Sequence, residues 1–211
     1  MKKRSIEIVK LFNQEFKDAK CALNYNNLYQ LIVAVMLSAQ TTDKKVNKVT
    51  ASLFDCYPTI ESIANANKED IEIFLHPLGL SKVKTDNLIS LSKILLEKYN
   101  GIVPNNKEEL LLLPGVGNKT TEVVLAEGFK IPAFPVDTHV LRISKRLGLT
   151  EIDASPIQTE KNLKETFDKE HWINLHHQMI HFGREICHAR NPLCEKCKFK
   201  KYCLIHCNKI Q

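Results

Sequence analysis

Four cysteines near the C-terminus are the residues best suited to hold a metal. Cys187, Cys194, Cys197 and Cys203 are separated by six, two and five residues. Four thiolates at such short spacings can ligate either a zinc ion or an iron–sulfur cluster. Zinc sites usually contain two close cysteine pairs, and only Cys194 and Cys197 form such a pair here. The spacing therefore favours iron and leaves zinc open, with Cys207 as a fifth thiol outside the pattern.

A lysine and an aspartate each lie at the start of an expected helix. A cation is poorly placed at Lys119, because the helix dipole is positive at that end and favours the neutral, nucleophilic amine. A solvated lysine that reaches a phosphate is the alternative. Asp137 can cap the helix that begins at Thr138. A carboxylate fixed in this way could also stabilise developing positive charge or assist proton transfer.

Lys119 belongs to a Gly-rich turn, Leu-Pro-Gly-Val-Gly-Asn-Lys-Thr, that joins two helical stretches. Pro114 ends the first helix. Gly115 and Gly117 permit tight turns and leave no side chain between their amides and a ligand. The second helix begins near Asn118, where free N–H groups and the positive dipole end form an anion site that suits a DNA phosphate. An ordinary turn between helices would use the same residue types.

The turn from Leu113 to Thr120 resembles the helix–hairpin–helix motif of DNA glycosylases. Together with Pro135–Val140, the segment Leu37–Asp43 and the cysteine spacing, it resembles the endonuclease III family over nearly the whole chain. The resemblance implies base excision repair of double-stranded DNA that contains damaged pyrimidines or abasic sites. It also implies that the four cysteines hold a [4Fe–4S] cluster.

The resemblance assigns the chemistry residue by residue. Lys119 attacks C1′ of the damaged nucleotide and displaces the base, and the resulting Schiff base allows β-elimination at the 3′ side. Asp137 is the paired carboxylate. The expected activity is that of a bifunctional DNA glycosylase and abasic-site lyase that removes oxidised pyrimidines.

The same resemblance predicts the DNA contacts. Gly115, Val116 and Gly117 are expected to hold the DNA backbone. The damaged nucleotide must leave the base stack, and side chains must fill the space that it vacates. The resemblance gives this wedge role to Gln40 and Leu80. Their structural alternatives are a helix-terminal polar residue and a core leucine.

The C-terminal segment that contains the clustered cysteines is basic. Residues 184–211 contain seven Lys or Arg and two Asp or Glu, a formal balance of +5. The loop from residue 188 to residue 193 is tied at both ends by predicted ligands and could present Arg190 to a phosphate. A merely solvated charged tail is the alternative. The remaining cysteines, Cys21 and Cys56, are expected to be buried as small hydrophobic residues.

Composition is compatible with these expectations. The chain has 211 residues, of which 44% are hydrophobic, so it can bury a substantial core. The net charge of +6 favours a polyanionic partner without demanding one. The longest apolar run, residues 31–37, is too short to span a bilayer. We expect a cytoplasmic, nucleoid-associated monomer in which clustered cysteines bind metal instead of forming disulfides.

Helical spacing of apolar residues recurs throughout the chain, so we expect an all-α fold. Residues 31–37 suit a helix buried on every side. Apolar stripes follow a helix start at residues 41–43, precede a helix end at Asn100, and run from Trp172 to Ile186. Helix caps are expected at Asn105 and Ser155. Packing of the hydrophobic core explains all of these stripes, so we assign no catalytic or binding role to them.

Two helical lobes are expected. Residues 22–133 would form a domain that contains the hairpin, and residues 1–21 with residues 134–211 would form the iron–sulfur domain with its C-terminal cluster loop. The extended stretch at residues 131–135 would cross between them. The active site would lie in the cleft between the lobes, a usual place for one.

Two other functions compete with the bifunctional enzyme. One is a monofunctional glycosylase of the same superfamily, specific for adenine or for mismatches, whose members lack a lysine at the position of Lys119. The other is a non-catalytic iron–sulfur sensor that binds DNA. Such a sensor would need the hairpin and the cysteines but would have no use for both Lys119 and Asp137.

Overall fold

The structure, a computed structural model, describes residues 1–207, and within this range every regular element is helical. The α-helices are α1 Lys3–Glu15, α2 Leu28–Leu37, α3 Asp43–Cys56, α4 Ile60–Ala64, α5 Lys68–Leu75, α6 Ser81–Tyr99, α7 Lys107–Leu111, α8 Asn118–Val123, α9 Thr138–Arg146, α10 Pro156–Thr166, α11 Trp172–Glu185 and α12 Leu204–Cys207. A π-helical turn, Val124–Gly128, continues α8. Short 3₁₀ turns occur at His76–Leu78, Lys169–His171, Cys194–Lys196 and Lys200–Tyr202. The prediction of an all-α fold is confirmed.

The chain divides into two compact units. One unit is Ala22–Ile131, and the other combines Met1–Cys21 with the chain from Pro132 onward. The predicted domains differ from these units by two residues, since the expected boundary followed residue 133. None of the described helices is both long and apolar enough to cross a membrane.

The unit Ala22–Ile131 is built around α2. Every residue from Leu31 to Leu37 is at most 4% exposed, as expected for a helix that is apolar all round. The side chain of Thr42 caps α3, which buries its predicted stripe. Helix α6 ends at Asn100 in the left-handed conformation, as its sequence predicts.

One predicted helix cap is wrong by a residue. Asn106, and not Asn105, caps α7, and its Oδ1 accepts a hydrogen bond from the Glu109 amide at 2.9 Å. Both asparagines suit a cap by type, and the turn that buries Leu110 begins at Asn106. The cap at Ser155 is confirmed, because its side chain accepts a hydrogen bond from the Gln158 amide.

The second unit has a core rich in aromatic rings. The ring of Phe12 in α1 lies 4.4 Å from that of Phe199, and Phe182 in α11 lies 4.7 Å from Phe199. Arg4 adds hydrogen bonds from its guanidinium to the carbonyl oxygens of Leu147 and Tyr202. Helix α1 is therefore packed against the segment that carries the cysteines.

The two cysteines outside that segment do not behave as predicted. Cys56 is the last residue of α3 and is exposed, while Cys21 is partly exposed. Cys56 follows the buried stripe of α3 at a position that faces solvent, so the small apolar side chain is not used for packing.

Candidate functional site

The turn between α7 and α8 requires glycine at one of its two glycine positions. Gly115 has a φ of +75°, and an added Cβ would lie 2.7 Å from the Met36 sulfur and 3.0 Å from Asn87. The turn therefore packs directly on α2 and α6. Gly117 has extended backbone, and an added Cβ there would meet nothing within 4 Å. Glycine at this position leaves the space in front of α8 open.

Of the three predicted backbone-binding residues, Val116 is the least available. Its side chain is buried, and its amide donates a hydrogen bond to the Leu113 carbonyl at 3.1 Å. Within the described chain, the amides of Gly115 and Gly117 donate to no backbone carbonyl. An anion site at this turn would therefore rest on the two glycine amides and the first turn of α8.

Lys119 is exposed in the first turn of α8, two residues after the open position at Gly117. An ion pair links the two helices of the hairpin that carries Lys119. Lys107 in α7 forms an ion pair of 2.9 Å with Glu122 in α8, and the Glu122 side chain is only 3% exposed. The amine of Lys119 is thus presented to solvent from a fixed pair of helices.

The two predicted wedge residues share an unusual backbone. Gln40 and Leu80 have φ values of 57° and 52°, in the left-handed region that few non-glycine residues adopt. Both side chains are exposed, and Leu80 is 55% exposed, so the alternative of a core leucine is wrong. Gln40 follows the end of α2, and Leu80 immediately precedes α6.

Asp137 caps α9, as its position in the sequence predicts. Its Oδ1 accepts a hydrogen bond from the Val140 amide at 2.8 Å, and the residue is partly buried. The neighbouring His139 lies on the same helix. Burial lowers the pKa of its imidazole, and the charge of Asp137 acts in the opposite direction.

The four predicted metal ligands line one cavity of about 220 Å³. The rest of its wall is largely apolar and includes Leu147, Phe182, Ile186 and Ile205. Burial raises the pKa of the Cys197 thiol. Among residues 1–207, no three His, Cys, Asp or Glu side chains converge on the position of a single metal ion. The four cysteine side chains thus line a cavity and do not converge on a single point. The side chain of Cys207 lies outside the described part of the chain.

Two arginines of α9 that the sequence did not single out hold the loop that follows the first cysteine. Arg142 donates to the Cys187 carbonyl from Nε at 3.1 Å and from Nη2 at 2.9 Å. Arg146 donates from Nη1 to the Cys187 sulfur at 3.2 Å and to the His188 carbonyl at 2.7 Å. Their spacing of four residues places them on one helix face, which is the signal that the sequence offered. Arg190 is exposed further along the loop.

Comparison with known proteins decides the family. Residues 33–169 match the model of the HhH-GPD superfamily base excision DNA repair protein. The endonuclease III of Synechocystis sp. is 41% identical over 203 residues, which cover 96% of this chain and 92% of that protein. This chain belongs to the endonuclease III family of base excision repair proteins.

Solved structures of the endonuclease III family agree with this membership. A non-covalent endonuclease III–DNA complex matches with a TM-score of 0.95 and 40% identity, covering 100% of this chain and 98% of that chain. A trapped endonuclease III–DNA covalent intermediate matches with a TM-score of 0.94 and 40% identity over 100% of both chains. The chain is therefore a base excision repair DNA glycosylase with abasic-site lyase activity, and not the non-catalytic sensor considered above.

Proposed function

We propose that this enzyme removes oxidised pyrimidines from double-stranded DNA, with Lys119 as the nucleophile, and cleaves 3′ to the resulting abasic site. The supporting observation is the exposed amine of Lys119 at the start of α8, beside the open position at Gly117. Solved relatives of the same family include a trapped covalent endonuclease III–DNA intermediate. A lysine amine can form a covalent imine with a sugar aldehyde.

The proposed reaction balances without a further reactant except water. The neutral Lys119 amine forms a bond to C1′, and the bond between C1′ and the base breaks, with the base leaving after protonation. Ring opening gives an imine between the lysine and C1′. Loss of a proton from C2′ then expels the 3′ phosphate, and water hydrolyses the imine to free the lysine.

Asp137 is proposed as the carboxylate that assists these steps. One oxygen, Oδ1, is used to cap α9. Within the described chain, no hydrogen bond reaches the other oxygen, Oδ2. A carboxylate that is oriented by its cap and has a free oxygen can stabilise positive charge on the sugar or exchange protons.

The proposed contacts that hold the DNA do not depend on its base sequence. We assign phosphate contacts to the amides of Gly115 and Gly117 and to the exposed side chain of Arg190. Val116 would serve the hairpin through packing, because its amide is already bonded to Leu113. Gln40 and Leu80 would enter the duplex where the damaged nucleotide leaves the stack.

We also propose that Cys187, Cys194, Cys197 and Cys203 hold a [4Fe–4S] cluster. All four line one cavity of about 220 Å³. That space is far larger than the roughly 10–15 Å³ of one water-sized sphere, so it suits a group of several atoms better than a single ion. The N–H group from Arg146 to the Cys187 sulfur suits a thiolate acceptor. The cluster would supply structural ties for the loop that carries Arg190.

Metal analysis tests the cluster assignment. We expect about four irons per chain and a brown protein. Cys197→Ser should lose iron, whereas Cys207→Ser should retain it, because Cys207 lies outside the ligand spacing. One zinc and no iron per chain would contradict the assignment.

Borohydride trapping tests the nucleophile. Wild-type enzyme with an abasic duplex should give a protein–DNA species that survives denaturation. Lys119→Gln should abolish that species and strand cleavage while retaining DNA binding, because the backbone contacts come from main-chain amides. Lys93→Gln, at an exposed lysine of α6, is the matched control and should trap like wild type.

The same assay with a panel of damaged duplexes separates the remaining alternatives. A monofunctional enzyme would release base without any trapped species. Excision of adenine from mismatches, with no action on oxidised pyrimidines, would refute the proposed substrate class. An unchanged trapped yield with Lys119→Gln would mean that another amine is responsible.

A further inference from the structure

Lys84, in the first turn of α6, is a buried lysine with no role in the proposed chemistry. Only 5% of the residue is exposed. Its Nζ donates hydrogen bonds to the Ala39 carbonyl at 3.0 Å and to the Leu78 carbonyl at 3.1 Å. Burial lowers the pKa of this amine. A buried ammonium is costly unless it is hydrogen-bonded, so these two carbonyls account for its position.

One acceptor lies in the segment between α2 and α3, residues 38–42, which we call the Gln40 loop, and the other lies in the segment between α5 and α6, residues 76–80, which we call the Leu80 loop. Ala39 immediately precedes Gln40, and Leu78 lies two residues before Leu80. The main-chain amide of Lys84 also donates to the Leu80 carbonyl at 3.0 Å. Lys84 is therefore bonded to both loops, although they are separated by about forty residues in the sequence.

These loops need such a constraint because their backbones are unfavourable. Gln40 and Leu80 both have positive φ values, and left-handed geometry costs an L-residue energy that surrounding contacts must offset. Because the Lys84 Nζ donates to both carbonyl oxygens, a displacement of either loop would lengthen one of these hydrogen bonds. The hairpin rests on the same helices, since Gly115 packs against Met36 of α2 and Asn87 of α6.

We propose that Lys84 is a positioning residue that holds the Gln40 loop and the Leu80 loop in register, so that both side chains enter the duplex together. The inference rests on the proposed wedge roles of Gln40 and Leu80. It predicts that loss of the ammonium impairs nucleotide extrusion and spares the steps that follow it.

Lys84→Met removes both hydrogen bonds and keeps a long apolar side chain. On a duplex with a base-paired oxidised pyrimidine, single-turnover excision should fall by roughly 10- to 100-fold, since a misplacement of about 1 Å can cost that much. On an abasic site within an unpaired bubble, strand cleavage should change by less than about twofold, because extrusion costs least where the nucleotide is already unpaired.

Two controls separate this role from general damage to the fold. Thr85→Val alters the adjacent residue, which is fully buried and whose hydroxyl has no partner in the described chain. Lys93→Met removes an exposed lysine from the same helix. Both variants should process the paired lesion at the wild-type rate. If Lys84→Met does not fold, Lys84→Gln replaces it; its shorter amide cannot keep both hydrogen bonds, so excision of the paired lesion should again fall while cleavage of the abasic bubble stays near the wild-type rate.

A double-mutant comparison adds a second criterion. In a Gln40→Ala background, Lys84→Met should cost less than it does alone, because part of its effect acts through Gln40 and such effects are not additive. Equal losses on paired and unpaired substrates, or full additivity with Gln40→Ala, would overturn the inference. Wild-type enzyme that excises no oxidised pyrimidine but cleaves the abasic bubble would instead refute the proposed substrate class.

Discussion

Replacing Gly115 by alanine should destabilise the hairpin by an amount that the structure allows us to estimate. The left-handed backbone alone costs an L-residue about 1–2 kcal/mol. The new Cβ would also lie 2.7 Å from the Met36 sulfur, and overpacking of this kind costs about 1–3 kcal/mol. Because methionine is flexible, we expect the lower part of the range, about 2–3 kcal/mol in the free energy of unfolding. The melting temperature should fall by roughly 4–12 °C.

Gly117→Ala is the matched control, because its backbone is extended and the added methyl group meets nothing within 4 Å. Its stability should stay within about 0.5 kcal/mol of wild type. Thermal unfolding followed by circular dichroism measures both variants. Filter binding to undamaged duplex then tests the open space at Gly117, which a phosphate should occupy. Gly117→Ala should therefore weaken DNA binding without loss of stability, and equal melting temperatures for the two variants would refute the reasoning.

Three further predictions concern the other unit. Asp137→Ala should lose about 1 kcal/mol of stability with its cap, whereas Asp137→Asn should lose only a few tenths, and both should slow base release in single-turnover assays. Arg146→Met should release iron from the proposed cluster to a chelator faster than wild type, because the Cys187 sulfur and the His188 carbonyl lose their donor. Arg190→Ala should weaken binding to damaged and undamaged DNA alike and reduce the salt slope by about 1, whereas an altered lesion preference would contradict its phosphate role.

Local patterns predicted the elements well because the determinants lie within a few residues of one another. The Asp137 cap follows from a carboxylate just before a helix, and the buried α2 follows from an unbroken apolar run. The cap of α7 shows the limit of this approach. Asn105 and Asn106 are equivalent as residue types, and the helix that buries Leu110 begins directly after Asn106.

Sequence patterns propose the residues of the candidate site but not the contacts that hold them in place. Val116 looked like one more backbone donor to a phosphate, yet its amide already donates to the Leu113 carbonyl, which the sequence does not indicate. Lys84, Arg142 and Arg146 resemble ordinary surface cations in the sequence. Most of their partners are main-chain carbonyls about forty residues away, and apart from the four-residue spacing of the two arginines no local pattern points to these contacts.

Lys84, Arg142 and Arg146 make the same kind of contact, since each donates hydrogen bonds to main-chain carbonyls. Lys84 donates to the carbonyls before Gln40 and Leu80, and the two arginines of α9 donate to carbonyls of the loop that leads to Arg190. A carbonyl is present whatever side chain its residue carries, so the loop side chains remain free for DNA. Short hydrogen bonds at buried or partly buried positions are also screened little by salt, unlike exposed contacts to phosphate. Rising salt should therefore release DNA while the loops keep their geometry, so the salt dependence of binding reports the phosphate contacts alone.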